Sequence, residues 1–146
     1  MSERSMVATN AEDEPKLIYD PGEHRKKHCW SEPFAGVVRD GSTVIGKCPS
    51  TLTKEMARDL LDDAEYDGKV AGRPIFDVKP KRMWNVHEGI VYEAVPTDGD
   101  SYHGYPWFGR PGRNRLSRPV RAALERRAED EGFGREFRDW MARHES

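Results

Sequence analysis

Met83-Trp84-Asn85-Val86-His87-Glu88-Gly89-Ile90-Val91-Tyr92-Glu93-Ala94-Val95 is the stretch from which the fold can be read. Two runs rich in β-branched and aromatic residues meet at Glu88-Gly89, a weaker form of the two-residue hairpin signal, because glycine accepts a positive φ freely and glutamate only at a cost. Beyond the turn, Ile90, Tyr92 and Ala94 alternate to one side and Val91, Glu93 and Val95 to the other, so the strand is expected to be central on at least one of its faces.

The same signal recurs upstream. Gly36-Val37-Val38-Arg39-Asp40-Gly41-Ser42-Thr43-Val44-Ile45-Gly46 predicts a hairpin turning at Asp40-Gly41. Leu17-Ile18-Tyr19 and Ile75-Phe76-Asp77-Val78 are short apolar runs bounded by Pro21, Pro74 and Pro80, as edge strands would be.

Helical spacing appears in three places. In Thr51 to Tyr66 the residues Met56, Leu60, Leu61 and Ala64 form one stripe, with Thr51 or Thr53 placed to cap it and Asp67-Gly68 to end it. From Ser117 to about Glu131, Ser117 is the expected N-cap and Pro119 sits in the first turn, where its missing N–H costs nothing. Val120, Leu124 and Ala128 share one side of this helix and Gly132 stops it. Phe133, Phe137, Trp140 and Met141 follow at i, i+4, i+7 and i+8, which predicts a second amphipathic helix and hence a C-terminal helical hairpin. These elements predict an α+β domain, a small, mostly antiparallel sheet with helices packed on one face and the helical hairpin at its C-terminal end. Residues 16–146 form this single domain, after a tail, Met1 to Pro15, whose polar mixture without periodicity predicts disorder.

Composition sets the outer bounds. The 146 residues are 34% charged, against roughly 25% in an average globular chain, so the surface is heavily ionised and the core small. Four Trp, five Tyr and five Phe still supply the large apolar groups that disordered chains lack. No apolar run is long enough to span a bilayer and Met1 to Asp20 has no signal-peptide pattern, which predicts a cytosolic protein with no membrane partner. Arginine outnumbers lysine 16 to 8, which fits a GC-rich bacterial source as well as phosphate recognition.

The net charge of −2 conceals segregation. Arg110 to Arg127 holds seven arginines against Glu125, a balance of +6, whereas Lys54 to Asp67 carries −4, so a basic and an acidic face are expected.

Motifs for chemistry are few. Cys29 and Cys48 are the only cysteines and form no Cys-x-x-Cys pair, so reduced thiols are expected; in the set His24, His28, Cys29 and Cys48 the histidines, four apart, could share one metal, but Cys29 follows His28 directly and adjacent side chains diverge. No metal or cofactor is expected. Arg25-Lys26-Lys27-His28 would make the field around Cys29 electropositive, yet a nucleophilic cysteine also needs a histidine that only the fold can place. His87-Glu88 matches neither the His-x-Glu of zinc deaminases nor a His-Glu-x-x-His helix, and the glycines 104, 109 and 112 form no phosphate loop.

What remains is Ser101-Tyr102-His103-Gly104-Tyr105-Pro106-Trp107-Phe108-Gly109-Arg110-Pro111-Gly112-Arg113-Asn114-Arg115, read as a loop between a strand and a helix. Aromatic faces for stacking beside planar, permanently charged guanidinium groups make up the mixture found at protein hot spots and on single-stranded RNA platforms. Tyr102, His103, Tyr105, Trp107, Phe108, Arg110, Arg113 and Arg115 are therefore the candidate binding residues. The competing expectation is that Tyr105, Trp107 and Phe108 plug the end of the sheet while the arginines stay solvated. With no active-site motif in view, the function expected is that of a non-enzymatic interaction protein, with a protein partner ahead of RNA. The alternatives are a metal-independent endoribonuclease of the small bacterial toxin kind, with His87, Glu88 and His103 as acid–base candidates and Arg110 and Arg113 on the phosphate, and a non-catalytic RNA-binding module.

Overall fold

A computed structural model of the chain describes residues 18–19, 32–33, 35–40, 43–69, 72–98, 101–109 and 116–144. The expected tail and the His24, His28 and Cys29 set lie outside them. The decisive hairpin forms as read: β4 (Met83–His87) and β5 (Ile90–Asp98) pair antiparallel with His87 opposite Ile90, leaving Glu88 and Gly89 as the two-residue turn. Both carry positive φ, 51° and 82°, as a right-twisting two-residue hairpin requires. Gly89 is constrained twice, because a Cβ there would run into Glu136 Cβ and the Phe137 amide. Gly89→Ala is therefore expected to destabilise the protein by more than about 1 kcal/mol in urea unfolding; an unchanged midpoint would show that the turn and the helix above it can move apart.

β6 (Ser101–Pro106) returns antiparallel along β5, and β1 (Ile18–Tyr19) adds to β6 in parallel, giving the order β1-β6-β5-β4. β2 (Gly36–Asp40) and β3 (Thr43–Lys47) form a separate two-stranded sheet. Its register pairs Asp40 with Thr43, so Asp40 ends a strand instead of occupying the centre of the turn, one residue off the expected position.

Alternation along the central strands sorts the core. Trp84, Val86 and Val91 point to one face, where they meet Val120, Leu124 and Ala128 of α3 (Arg118–Asp130) and Phe137, Trp140 and Met141 of α4 (Gly134–His144). The C-terminal helical hairpin thus covers that face with the two predicted stripes. Met83 and Ala94 point to the opposite face, against Leu61 and Ala64 in and just beyond α1 (Lys54–Asp62), and Tyr92 packs there with Cys48 and Leu52. The N-caps fall where the sequence puts them: Thr53 Oγ1 accepts from the Met56 amide at 3.1 Å, and the Ser117 hydroxyl accepts from the Val120 amide at 3.4 Å, whereas α1 ends at Asp62 with Asp63 as its C-cap, short of the expected stop at Asp67-Gly68.

Ile75–Val78 departs from expectation. The segment is one helical turn, α2, closed by a 3.0 Å bond from the Lys79 amide to the Ile75 carbonyl and ended by Lys79 at φ 47°. A four-residue apolar run between prolines is too short for its period to be legible. Neither sheet edge is free for it: Glu65 bridges to Trp84 on the outer side of β4, and β1 takes the outer side of β6. As a helical turn it lays Ile75 and Val78 against the Leu61, Met83 and Tyr102 cluster.

Arg127 also departs from a plain solvated face. It lies on α3, yet its guanidinium reaches around the β4 edge to the Asp63 carbonyl at 2.6 Å, Asn85 Oδ1 at 2.8 Å and Glu65 Oε2 at 2.5 Å. Asn85 in turn donates to the Leu60 and Asp63 carbonyls, so one buried amide and one arginine tie the two helical layers together through the sheet edge.

At the far end of α4 the ring of His144 lies 4.0 Å from that of Trp140, and the His144 carbonyl accepts from the Gly109 amide at 2.7 Å. Burial, and secondarily the positive charge of Arg143, holds this imidazole below its ordinary pKa. The unfolded chain then binds more protons than the folded one, so this residue's contribution to stability declines as pH falls through about 6.5. Melting curves at pH 7 and pH 5 are expected to show a smaller loss for His144→Gln than for the parent; equal losses would mean that the group is already solvated.

Candidate functional site

Ser101 to Pro106, read as loop, is strand β6, and this single change re-sorts the candidate residues. Gly104 and Pro106 suggest a turn, but Pro106 is the last residue of the strand, and pairing resumes immediately with a 2.8 Å bond from the Trp107 amide to the Val91 carbonyl. Alternation along β6 then sends Tyr102 and Tyr105 to opposite faces.

Tyr102 is 1% exposed, packs with Leu61 and Met83, and donates its hydroxyl to the Pro80 carbonyl at 2.5 Å. Trp107 is fully buried in the core under the C-terminal hairpin, and its carbonyl accepts from Trp140 Nε1 at 3.0 Å. Both are core residues, so neither offers a ring to a partner, and for Trp107 the plug expectation describes the geometry. His103, Tyr105 and Phe108 are half-buried. Arg110, Arg113 and Arg115 lie outside the described residues.

On the face of β5 and β6 that carries His103 and Tyr105, a polar group forms around Glu93, which pairs across the strands with Tyr105. Glu93 is 1% exposed, and both of its oxygens are engaged: Oε1 accepts from the Tyr105 hydroxyl at 2.7 Å, while Oε2 accepts from Trp84 Nε1 at 3.0 Å and faces Arg82 Nη1 at 3.1 Å. Burial, reinforced by the Glu93 carboxylate, drives the Tyr105 phenol well above its usual range, so it stays protonated and acts as a fixed donor. Next along β6, His103 Nδ1 lies 2.7 Å from Thr97 Oγ1, and its ring centroid is 6.1 Å from that of Tyr105. Neither Glu93 nor Arg82 is among the candidate residues expected from the sequence. The available signal was a lone carboxylate on the Val91 and Val95 side of a central strand, which must find donors there or cost the fold heavily.

The three acid–base candidates are not brought together. His87 pairs with Ile90 and His103 with Val95, five residues further along β5, which puts them roughly 17 Å apart along the strand. They also point to opposite faces, because Ile90 and Val95 differ in parity. Glu88 is exposed at the turn beside His87. Cys48 is buried, and among the described residues no group of three or more His, Cys, Asp or Glu is arranged to hold a metal. No helix among them is long and apolar enough to cross a membrane.

As chemistry, the Glu93 group can orient and donate. Its carboxylate faces three donors and is shielded from water, which holds it as a fixed acceptor inside the sheet. Comparison with known proteins finds no matching family, no similar curated protein and no similar solved structure.

Proposed function

We propose that the chain is a non-enzymatic macromolecule-binding protein that docks a protein partner on the half-buried residues His103, Tyr105 and Phe108 in and just after β6 and on the arginines that follow. The observation that carries the reading is the separation of the acid–base candidates: His87 and Glu88 lie at the other end of the sheet from His103, and His87 faces the other way. Tyr102 and Trp107 support it indirectly. Anchored in two different core clusters, they fix the β6 backbone, so His103, Tyr105 and Phe108 are held on a rigid element, which lowers the entropy lost on binding. Arg110, Arg113 and Arg115 then extend the same segment with positive charge.

The test is a pull-down from cell extract with and without nuclease treatment, repeated with Arg110, Arg113 and Arg115 all changed to Ala. Partners that survive nuclease and are lost from the triple variant at unchanged melting temperature support protein recognition. Partners lost on nuclease treatment move the reading to RNA binding, and the salt slope should then fall by up to about 2 in the triple variant, at roughly 0.7 per phosphate contact.

A second reading, the metal-independent ribonuclease, draws on one observation: His103 stands beside Tyr105, Glu93 and Arg82, a histidine, a proton donor and an arginine on one face. It requires cleavage of RNA in EDTA that His103→Ala abolishes. Intact RNA across pH 5 to 8 rejects it.

A further inference from the structure

A cleft of about 480 Å³ opens on the side of the molecule where His87 ends β4, and His103 does not line it. It is bounded by the second half of α1, the end of β4 and the C-terminal end of α3. Its floor is apolar, made by Met56, Leu60 and Val86. Its rim carries four carboxylates from two separate elements, Asp59 and Asp63 on one side and Asp130 and Glu131 on the other.

The placement of these charges is informative. α1 ends at Asp62 with no basic residue in its last turn, and α3 ends at Asp130 with Glu131 as its C-cap. Helix C-termini already carry partial negative charge and favour cations, so carboxylates gathered there oppose the helix dipoles and one another. Arg127 is the only lysine or arginine lining the cleft among the described residues, and its guanidinium is taken up by Glu65, Asn85 and the Asp63 carbonyl. Asp59, Asp130 and Glu131 have no ion-pair partner among the described residues. The cleft therefore combines a surplus of negative charge with an apolar floor, the complement of an aliphatic stem that ends in a cation. Its volume falls in the ordinary range for ligand sites and exceeds what one water-filled crevice needs.

We infer that this cleft docks an arginine- or lysine-bearing segment of a partner protein, with the side-chain stem laid on Met56 and Leu60 and the cation between the Asp59 and Asp130 sides. The inference is independent of the β6 surface, and each can fail while the other stands. Its probe is a fluorescein-labelled peptide, Ser-Gly-Arg-Ala-Arg-Ala-Arg-Gly-Ser, beside the same peptide with every arginine replaced by uncharged citrulline. Anisotropy titration is expected to show saturable binding of the arginine peptide alone. The variant Asp59→Asn, Asp130→Asn, Glu131→Gln is expected to weaken it about tenfold or more, from the loss of three partly desolvated charge contacts. The charge-matched control Glu55→Gln, Asp67→Asn, Asp139→Asn should bind as the parent does, and amide shifts on titration should cluster at Asp59 to Asp63, Asn85 to His87 and Arg127 to Glu131. Absence of binding up to about 1 mM overturns the inference. So does equal weakening in both triple variants, which would mark general charge attraction. Self-association in sedimentation runs that the cleft variant abolishes would overturn it as well, because the occupant would then be a second copy of the chain.

Discussion

Trp140→Ala is expected to cost about 3 to 5 kcal/mol of folding stability, the range for deleting a large aromatic side chain from a packed interior. Trp140 is 1% exposed and touches the fold in three ways. It fills the space between α3, α4 and the sheet, donates Nε1 to the Trp107 carbonyl, and carries the His144 ring at its outer edge. Removing it opens a cavity and also takes the indole donor from a buried carbonyl, so the loss should sit at the upper end of that range. Urea unfolding followed by the remaining tryptophans measures it. A change below about 1 kcal/mol would mean that α4 is held elsewhere and its aromatic stripe is free for docking. Trp107→Ala belongs to the same experiment, since a fully buried ring predicts unfolding with it, whereas an exposed anchor would leave the melting temperature alone.

The second large effect is expected at Glu93. Glu93→Ala removes the acceptor of Trp84 Nε1 and of the Tyr105 hydroxyl and one counter-charge of Arg82. Each buried donor left without its acceptor costs about 1 to 3 kcal/mol, whereas Arg82, whose side chain is half exposed, is rehydrated. Glu93→Gln keeps an acceptor for one donor and should recover part of the loss, while Glu93→Met combined with Tyr105→Phe and Arg82→Met should recover more. That order of stability, triple variant above Glu93→Gln above Glu93→Ala, separates a desolvation penalty from a loss of packing. If Glu93→Ala is as stable as the parent, the carboxylate is already hydrated and its three partners are surface decorations.

These two residues also mark how far the sequence could be read. The stripe Phe133, Phe137, Trp140 and Met141 is legible because helix period and burial coincide, and the caps at Thr53 and Ser117 are legible because their chemistry is local. The Glu88-Gly89 turn is legible for the same reason. β6 was missed because Gly104, Pro106 and a row of aromatics imitate loop chemistry, and what makes them a strand is the length of β5 waiting opposite, a partner that no local window contains. The Ile75–Val78 turn was missed for a related reason, since both sheet edges that it would have joined are filled by residues distant in sequence. Site residues fared worse than elements. Tyr102 and Trp107 have the composition of hot-spot residues, and only their neighbours across the fold make them core; Glu93 and Arg82 become a pair only when two strands are in register.

The parallel pairing of Ile18 with Ser101 has a consequence for how the chain is made. Every other strand pairing among the described residues joins neighbours along the chain and can form soon after both partners exist, but β1 must wait for a partner about 80 residues downstream. At roughly 5 to 20 residues per second, synthesis leaves β1 unpaired for about 4 to 17 seconds, far longer than a hairpin takes to close. With only two residues in the ladder, β1 repays little of the entropy of closing so long a loop, so it belongs among the last elements to join and the first to detach. Its departure would expose the outer edge of β6, and the speed with which β1 returns therefore sets how long a pairing-competent edge stays open to other chains.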